Sequence, residues 1–197
     1  MMRTKLIILF SVAIALLLIV SFFWGTYNGL VKRDESVQMA WSQVENQYQR
    51  RADLIMNLVE TVKGYAKHEQ ETFAQVVEAR TKATQLTVDA ENLNAETLQK
   101  LNNVQGELSQ ALSRLMMLVE NYPDLKANEN FIMLQGQLEG TENRIAFVRR
   151  KFNEAVNNYN SYRRRFPKNI IATMFGFTQK EYFKGKSNSS SVPDVKF

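Results

Sequence analysis

The sequence predicts an all-α protein: an N-terminal transmembrane helix, then an elongated antiparallel helical bundle of three long helices plus a short C-terminal helix. Three observations predict it. Nineteen consecutive residues, Leu6 to Trp24, carry no charge. Beyond them, apolar residues recur at steps of three and four along most of the chain, the spacing of one helix face. Only eight Gly and three Pro occur in 197 residues, too few for the tight turns of a sandwich or barrel.

As a helix, Leu6 to Trp24 rises roughly 28 Å, close to the hydrocarbon thickness of a bilayer. The uncharged stretch continues to Val31. Arg3 and Lys5 flank one end, and Phe22, Phe23, Trp24 and Tyr27 supply an aromatic belt at the other. A cleaved signal peptide is the competing reading. The run is longer than such segments usually are, and bulky Phe22, Phe23 and Trp24 stand where small residues would precede a cleavage site. Residues 1–5 are therefore read as a short flank and 6–27 as an anchor inserted in the lipid bilayer. No second long apolar run follows, so the sequence predicts one crossing. Orientation stays open: Arg3 and Lys5 lie closer to the apolar run than Lys32 and Arg33, which tilts toward a cytoplasmic N-terminus, but the count is two against two. Ser11 and Ala15 form one small-xxx-small pair, compatible with pairing to a second copy.

Three apolar seams follow. The first runs Val37, Trp41, Val44, Tyr48, Ala52, Ile55, Val59, Val62, Ala66, Phe73 and Val76, with one gap at Glu69. Its phase holds from Val62 to Ala66 across Gly64, so the first helix is expected to continue from the membrane to about Val88 and fade near Asp89. Gly64 is then a close-packing position or mild kink rather than a break. The second seam runs Leu98, Leu101, Val104, Leu108, Leu112, Leu115, Val119 and Tyr122. Asn92 or Asn94 would cap it, since an Asn side chain accepts from orphan helix N–H groups. Pro123 ends it, lacking an N–H and disfavouring helix in the residue before it. The third seam runs Phe131, Leu134, Leu138, Thr141, Ile145, Val148, Phe152, Ala155, Tyr159, Tyr162 and Phe166, stopping before Pro167. A short apolar piece from Ile170 to Phe175 precedes Gly176. The bundle domain is drawn as 28–183, and 184–197 as a disordered polar tail. With a continuous first helix, the chain would go up, down and up again, leaving the C-terminal end far from the bilayer; a break at Gly64 would add one reversal and return that end to the surface.

Charge is segregated. Residues 1–33 carry four basic and no acidic side chains, 34–143 have a net charge of −8, and 144–197 a net charge of +9. The basic end includes Arg149, Arg150, Lys151, Arg163, Arg164, Arg165 and Lys168, interleaved with Tyr159, Tyr162 and Phe166. Three readings compete: a solvated face beside the acidic helices of the same bundle, a docking surface for a protein or for anionic lipid, and nucleic acid. The last lacks any helix-turn-helix, OB or RRM pattern.

No catalytic constellation emerges. The absence of Cys removes disulfides, zinc thiolates, iron–sulfur clusters and a cysteine nucleophile. His68 is the sole His. His68-Glu69 begins like H-E-x-x-H, but Thr72 stands where the second His belongs, and Tyr65 stands where a Glu-x-x-His pair needs its Glu. Phosphate-binding glycine loops and a nucleophile elbow are also missing. The sequence reads as a non-enzyme without cofactor or metal.

Several motifs are similar to those of the LemA family of bacterial membrane proteins. They include Tyr27-Asn28-x-x-Val31-x-Arg33, Ala40-Trp41, Arg50-Arg51-x-Asp53-Leu54-Ile55-x-Asn57-Leu58-Val59 and Thr61-Val62-Lys63-Gly64-Tyr65-Ala66-x-His68-Glu69. The second half adds Glu120-x-Tyr122-Pro123-Asp124-Leu125-Lys126-Ala127, Leu134-Gln135-x-Gln137-Leu138-Glu139-Gly140-Thr141-Glu142-Asn143-Arg144-Ile145, Phe152-Asn153-x-x-Val156-x-x-Tyr159-Asn160, Phe166-Pro167 and Phe175-Gly176-Phe177. The resemblance runs from about Tyr27 to Phe183. It implies a membrane-tethered helical domain with no catalytic residues and a short N-terminus outside the cell, opposite to the charge tilt. The family commonly has Pro where this chain has Met56, so a kink there is not carried over.

Physical roles follow from the seams. Trp41, Tyr48, Ile55 and Val62 are expected in the core, with Trp41, Gly64, Tyr65 and Pro123 as structural positions. Arg50, Arg51 and Asp53 are expected near Glu139 or Glu142 of the third helix. The functional expectation is a non-catalytic interaction or scaffold module of the bacterial envelope, holding an envelope or membrane protein partner. The alternative is a structural protein that binds lipid surfaces through its basic C-terminal region.

Overall fold

The structure, a computed structural model, describes residues 2–86, 88 and 93–184. Asp89, Asn92 and the rest of the polar tail beyond 184 lie outside the described residues. Six helices follow in order, with no strand among the described residues: α1 (Met2–Lys63), α2 (Gln70–Gln85), α3 (Ala95–Val119), α4 (Pro123–Lys126), α5 (Glu129–Arg164) and α6 (Lys168–Met174). The N-terminal part of α1 contains one segment long and apolar enough to cross a membrane, and none of that segment is buried against the rest of the chain.

The first correction concerns Gly64. The first helix does not run on to Val88; it ends at Lys63, and the chain reverses through 64–69. Tyr65 and Ala66 both donate their backbone N–H to the carbonyl of Val62, at 3.0 Å each, and Glu69 donates to Ala66 at 3.2 Å. Glycine is a poor helix former, about 1 kcal/mol below alanine, so a helix stops readily there. Gly64 makes no close helix-to-helix approach; the nearest atom to an added Cβ would be the local carbonyl of Thr61, at 3.3 Å. Ala66 is buried inside the turn, which is why the apolar spacing persists across a reversal.

The extra reversal changes the path. Leaving the apolar segment, α1 climbs, α2 descends beside it, α3 climbs again, and α5 descends antiparallel to α1. Arg80 of α2 donates to the carbonyl of Ala52 and faces Asp53 at 3.6 Å, which fixes the α1–α2 pairing. Asn94 caps α3, its side chain accepting from Thr97 N–H. Pro123 occupies the first turn of α4, where its missing N–H costs no helical hydrogen bond. Asn128 caps α5 by accepting from Phe131 N–H.

Two large cores stack along the axis. The distal core gathers Ile55, Leu58, Val62, Phe73, Val76, Leu115, Leu125 and Phe131. The middle one gathers Val37, Trp41, Tyr48, Leu98, Ile145, Phe152, Val156 and Phe183. Trp41 is its anchor, its indole Nε1 donating to the carbonyl of Val88 at 3.0 Å and its ring packing on Phe152 and Phe183. The seams hold with local shifts: α3 also buries Gln105 and Ala111, and α5 buries Val156 where Ala155 was expected. Phe166, placed on the third seam, is 81% exposed.

The polar cluster expected near Arg50, Arg51 and Asp53 narrows to Arg51. Its buried guanidinium reaches Glu142 of α5 at 2.8 Å, Ser109 and the Gln105 carbonyl of α3, and the Gln105 side-chain oxygen. Arg50 and Asp53 face outward, and Glu139 bonds only to Gln135 within α5.

Because α5 descends, its C-terminal end comes back to the start of the domain instead of the distal tip. With no native cysteine, spin labels at Glu35→Cys and Asn169→Cys test this directly. Glu35 stands only about 8 Å along α1 above Leu30, against which α6 packs, so the labels should lie within about 25 Å. A separation above about 50 Å would restore the unbroken first helix.

Candidate functional site

The base of the domain is built by three elements meeting the end of the apolar segment. Leu30 of α1, Ile171 and Ala172 of α6 form a small buried core there. Tyr27 sits edge-on to Phe175 at 5.0 Å and to Phe177 at 5.8 Å. Helix α6 ends because Gly176 adopts φ +73°, a left-handed conformation that glycine enters without a Cβ clash. Phe177 N–H then closes back onto the carbonyl of Ala172 at 2.9 Å.

From Gly176 the chain turns back and runs up α5 in extended form. Two asparagines of α5, seven residues apart, bracket it. Asn160 accepts from Lys180 N–H and donates to the Lys180 carbonyl; Asn153 does the same to Phe183. Each amide side chain thus mimics a neighbouring strand. Phe183 is carried into the middle core beside Trp41 and Phe152. Lys180 adds a largely buried ion pair to Asp34 of α1 at 3.0 Å. Sequence reasoning quoted Asn153 and Asn160 as motif residues but missed their partner segment, whose signal was Phe177, Tyr182 and Phe183 following a helix-stopping Gly.

The seven basic residues of the C-terminal region do not form one patch. Arg149 is half-buried at mid-height, donating to Asn102 and lying over the Phe183 ring. Arg150 faces solvent, and Lys151 pairs with Glu154 at 2.8 Å. Arg163, Arg164, Arg165 and Lys168 stand at the base. Arg163 donates to the carbonyl of Phe177 at 2.6 Å. Among the described residues none of these four forms an ion pair, nor do Lys32 and Arg33 of α1.

Two of the base cations are held in place by one ring. The guanidinium of Arg33 and the ammonium of Lys168 each lie 3.7 Å from the centroid of Tyr162, and Arg33 also donates to the carbonyl of Gly29 at 2.9 Å. The ring rests against Gly29, where an added Cβ would fall 2.3 Å from the Tyr162 hydroxyl. Gly29 is a close-packing position that the seams did not mark; its signal was a glycine inside a helix. Around the same base, Trp24, Phe166, Ile170, Met174 and Phe175 are exposed. On α6, Ile170 and Met174 share the outer face, whereas Ile171 and Ala172 face the bundle.

Other candidate sites are less organised. Trp41 is core, as expected. Tyr65 is half-exposed at the distal turn, its hydroxyl accepting from Asn128. His68 is exposed in the same turn. Among the described residues no group of three or more His, Asp or Glu could hold a metal ion.

Residues 40–197 match the LemA family. The chain belongs to that family. Magnetosome proteins MamQ 1 and MamQ 2 of Paramagnetospirillum magneticum are each 29% identical to it over 177 residues, covering 81% of this chain and 65% of theirs. Protein LemA of Metamycoplasma hominis is 24% identical over 148 residues, covering 75% of this chain and 64% of the relative. The chain therefore spans just under two-thirds of the length of the curated relatives it matches. The LemA match contains the Trp41 core, the Arg51 cluster, the asparagine brackets and the whole of α6.

Two predictions follow from this geometry. Gly136 and Gly140 of α5 have open space where a Cβ would go. Gly136→Ala should therefore stabilise by about 0.5–1 kcal/mol through helix propensity. Gly29→Ala should forfeit that gain, because Tyr162 has to leave its two cations, and should melt below the Gly136→Ala protein in thermal unfolding. Equal stabilisation would show that the Tyr162 stack carries no energy.

Tyr159 is fully buried and donates its hydroxyl to the Thr178 carbonyl at 2.9 Å. Burial, with the Asp34 carboxylate adding and Arg163 opposing, pushes its phenol up to about 12. An unfolded Tyr ionises near 10, so between pH 10 and 12 the unfolded chain binds fewer protons than the folded one. The stabilising contribution is complete below pH 10 and is lost as pH rises through about 12. Tyr159→Phe should flatten the fall of the unfolding midpoint across that window relative to the wild type.

Proposed function

We propose that this LemA-family chain is a non-catalytic, single-pass protein of the bacterial cell membrane whose helical domain stands upright on the bilayer and grips anionic headgroups with its base. Of the two sequence readings, this is the lipid-surface one. The observation that supports it most is the return of α6 to the end of the apolar segment, with Phe175 against Tyr27 and Leu30 beneath Ile171 and Ala172. A basic C-terminal region far from the bilayer would belong to a distant partner. One beside the anchor meets the headgroups first.

The charge distribution supports the same reading. Several cations higher in the bundle pair with carboxylates: Arg51 with Glu142, Arg80 with Asp53, Lys82 with Glu78, Lys126 with Glu120. At the base Lys180 pairs with Asp34, but among the described residues Lys32, Arg33, Arg163, Arg164, Arg165 and Lys168 form no ion pair. A Lys or Arg near an anionic surface gains about 1 kcal/mol, so the several base cations together add a few. The polarity of the membrane insertion does not enter this reading, since the base faces whichever leaflet the domain stands on.

The interaction-module reading keeps one observation of its own: Tyr65, Met117, Ile132 and Met133, near the distal end, are exposed. A partner carried there would be held about 50 Å above the bilayer by the rise of α1.

The full chain reconstituted in nanodiscs tests the proposal. Amide hydrogen exchange across 163–175 should slow when phosphatidylglycerol is added to phosphatidylcholine discs, while α2 and α3 remain unchanged. Exchange in 163–175 that is indifferent to lipid charge would sink it.

A further inference from the structure

The base also contains a groove of about 550 Å³ between α1 and α5, lined by Lys32, Arg33, Lys151, Ser161, Tyr162 and Arg165 among others. Resting on the reading that the base faces the bilayer, we propose that this groove seats the phosphate of one anionic phospholipid drawn from that bilayer.

Three features distinguish the groove from the diffuse positive charge around it. First, its charges are unequal. Lys151, at the upper end, is neutralised by Glu154 at 2.8 Å. Lys32 and Arg165, at the lower end, have no side-chain hydrogen bond or ion pair among the described residues, and both are exposed. Lys32 and Arg165 come from different helices and meet only because α5 descends beside α1.

Second, the wall between them is preorganised. Arg33 is fixed by the Gly29 carbonyl and the Tyr162 ring, so it presents positive charge without losing further rotamer freedom on binding. Ser161 lines the same wall, and a serine hydroxyl is a donor suited to an anionic oxygen. A fixed guanidinium and free cations on two sides of such a groove suit an oxyanion such as phosphate.

Third, the depth is right for a lipid. Lys32 is eight residues past Trp24, about 12 Å along the helix axis. The headgroup layer extends roughly 5–8 Å beyond the hydrocarbon edge. A lysine stem bends back along the helix by several ångströms, carrying its ammonium into that layer. A freely dissolved anion reaches the groove only at its bulk concentration, whereas lipids of the supporting leaflet stand next to it permanently.

The test uses the full chain in a mild non-ionic detergent, with short-chain phosphatidylglycerol, short-chain phosphatidylcholine and inorganic phosphate as probes, read by native mass spectrometry. Phosphatidylglycerol should give a one-to-one adduct, and phosphatidylcholine should bind at least tenfold more weakly. Lys32→Gln with Arg165→Gln should lower phosphatidylglycerol affinity at least tenfold. Arg144→Gln with Arg150→Gln, which removes two exposed cations higher on α5 that do not line the groove, should leave it unchanged. Both pairs lie on the surface, so thermal melting of each variant should stay at the wild-type value. Equal loss in the two double variants would overturn the groove in favour of diffuse charge, and displacement of the lipid by millimolar phosphate would overturn a lipid source. Either result leaves the base on the bilayer if 163–175 still responds to lipid charge in nanodiscs. No response there would remove both readings together.

Discussion

The packing of α5 along α1 is the constraint from which the rest of the molecule follows. The part of α1 beyond residue 27 is 36 residues long, and α5 is also 36 residues long. Both rise about 54 Å, so when α5 starts beside the top of α1 its last turn ends beside the apolar segment. Everything between the two is an excursion that leaves from the top and returns to it. The α2–α3 hairpin descends to the level of Trp41 and climbs back, filling one side of the pair and completing both cores. Trp41, Phe152 and Phe183 close the middle of the stack. Truncating an aromatic side chain in such a core typically costs 3–5 kcal/mol, a large share of a domain's whole stability.

Much of this architecture is readable from residue spacing. The apolar segment, the second and third seams, the Asn94 cap and the α6 helix all fall where local rules put them, because each depends on residues within a turn or two of one another. The Arg51–Glu142 pair was also within reach, since both residues flank seams that face each other. The reversal at 64–69 was misread for a physical reason. A turn that buries one small residue, Ala66, preserves the spacing of a continuous helix, and periodicity records burial, not direction. The information was present in a weaker form. Gly64 and the missing apolar residue at Glu69 lie within six positions of each other, and the step from Ala66 to Phe73 is a whole heptad. Weighing those two breaks together would have added the fourth long helix and moved the C-terminal cations from the tip to the base.

The rest of the site was not legible because it depends on contacts far apart in sequence. Gly29 is a close-packing position only in relation to Tyr162, 133 residues away, and nothing near Gly29 announces that ring. Asn153 and Asn160 look like ordinary polar residues on a helix face until an extended segment is laid beside them. Among the seven basic residues, sequence proximity grouped Arg149, Arg150 and Lys151 with Arg163, Arg164, Arg165 and Lys168. Yet thirteen helical steps separate Lys151 from Arg164, about 20 Å, which is more than two Debye lengths at physiological salt.

The electrostatic design of the base follows from what surface ion pairs can and cannot do. Exposed pairs such as Lys100–Glu96 and Lys63–Glu60 contribute little to stability, because water and salt screen them. They suppress free charge on the upper bundle more than they hold it together. At the base, beyond the Lys180–Asp34 pair, aromatic and backbone partners take over: Tyr162 for Arg33 and Lys168, the Phe177 carbonyl for Arg163. Such partners fix a cation in space without neutralising it, so positive charge is concentrated where the apolar segment emerges. The bracketed segment then ties that charge to the fold. Gly176 turns the chain upward, Lys180 locks to Asp34 and Asn160, and Phe183 fills the Trp41 core. Displacing α6 from the base therefore pulls on the middle of the bundle. The base and the middle core are thus joined by covalent chain and two asparagine brackets as well as by the packing of α5 on α1.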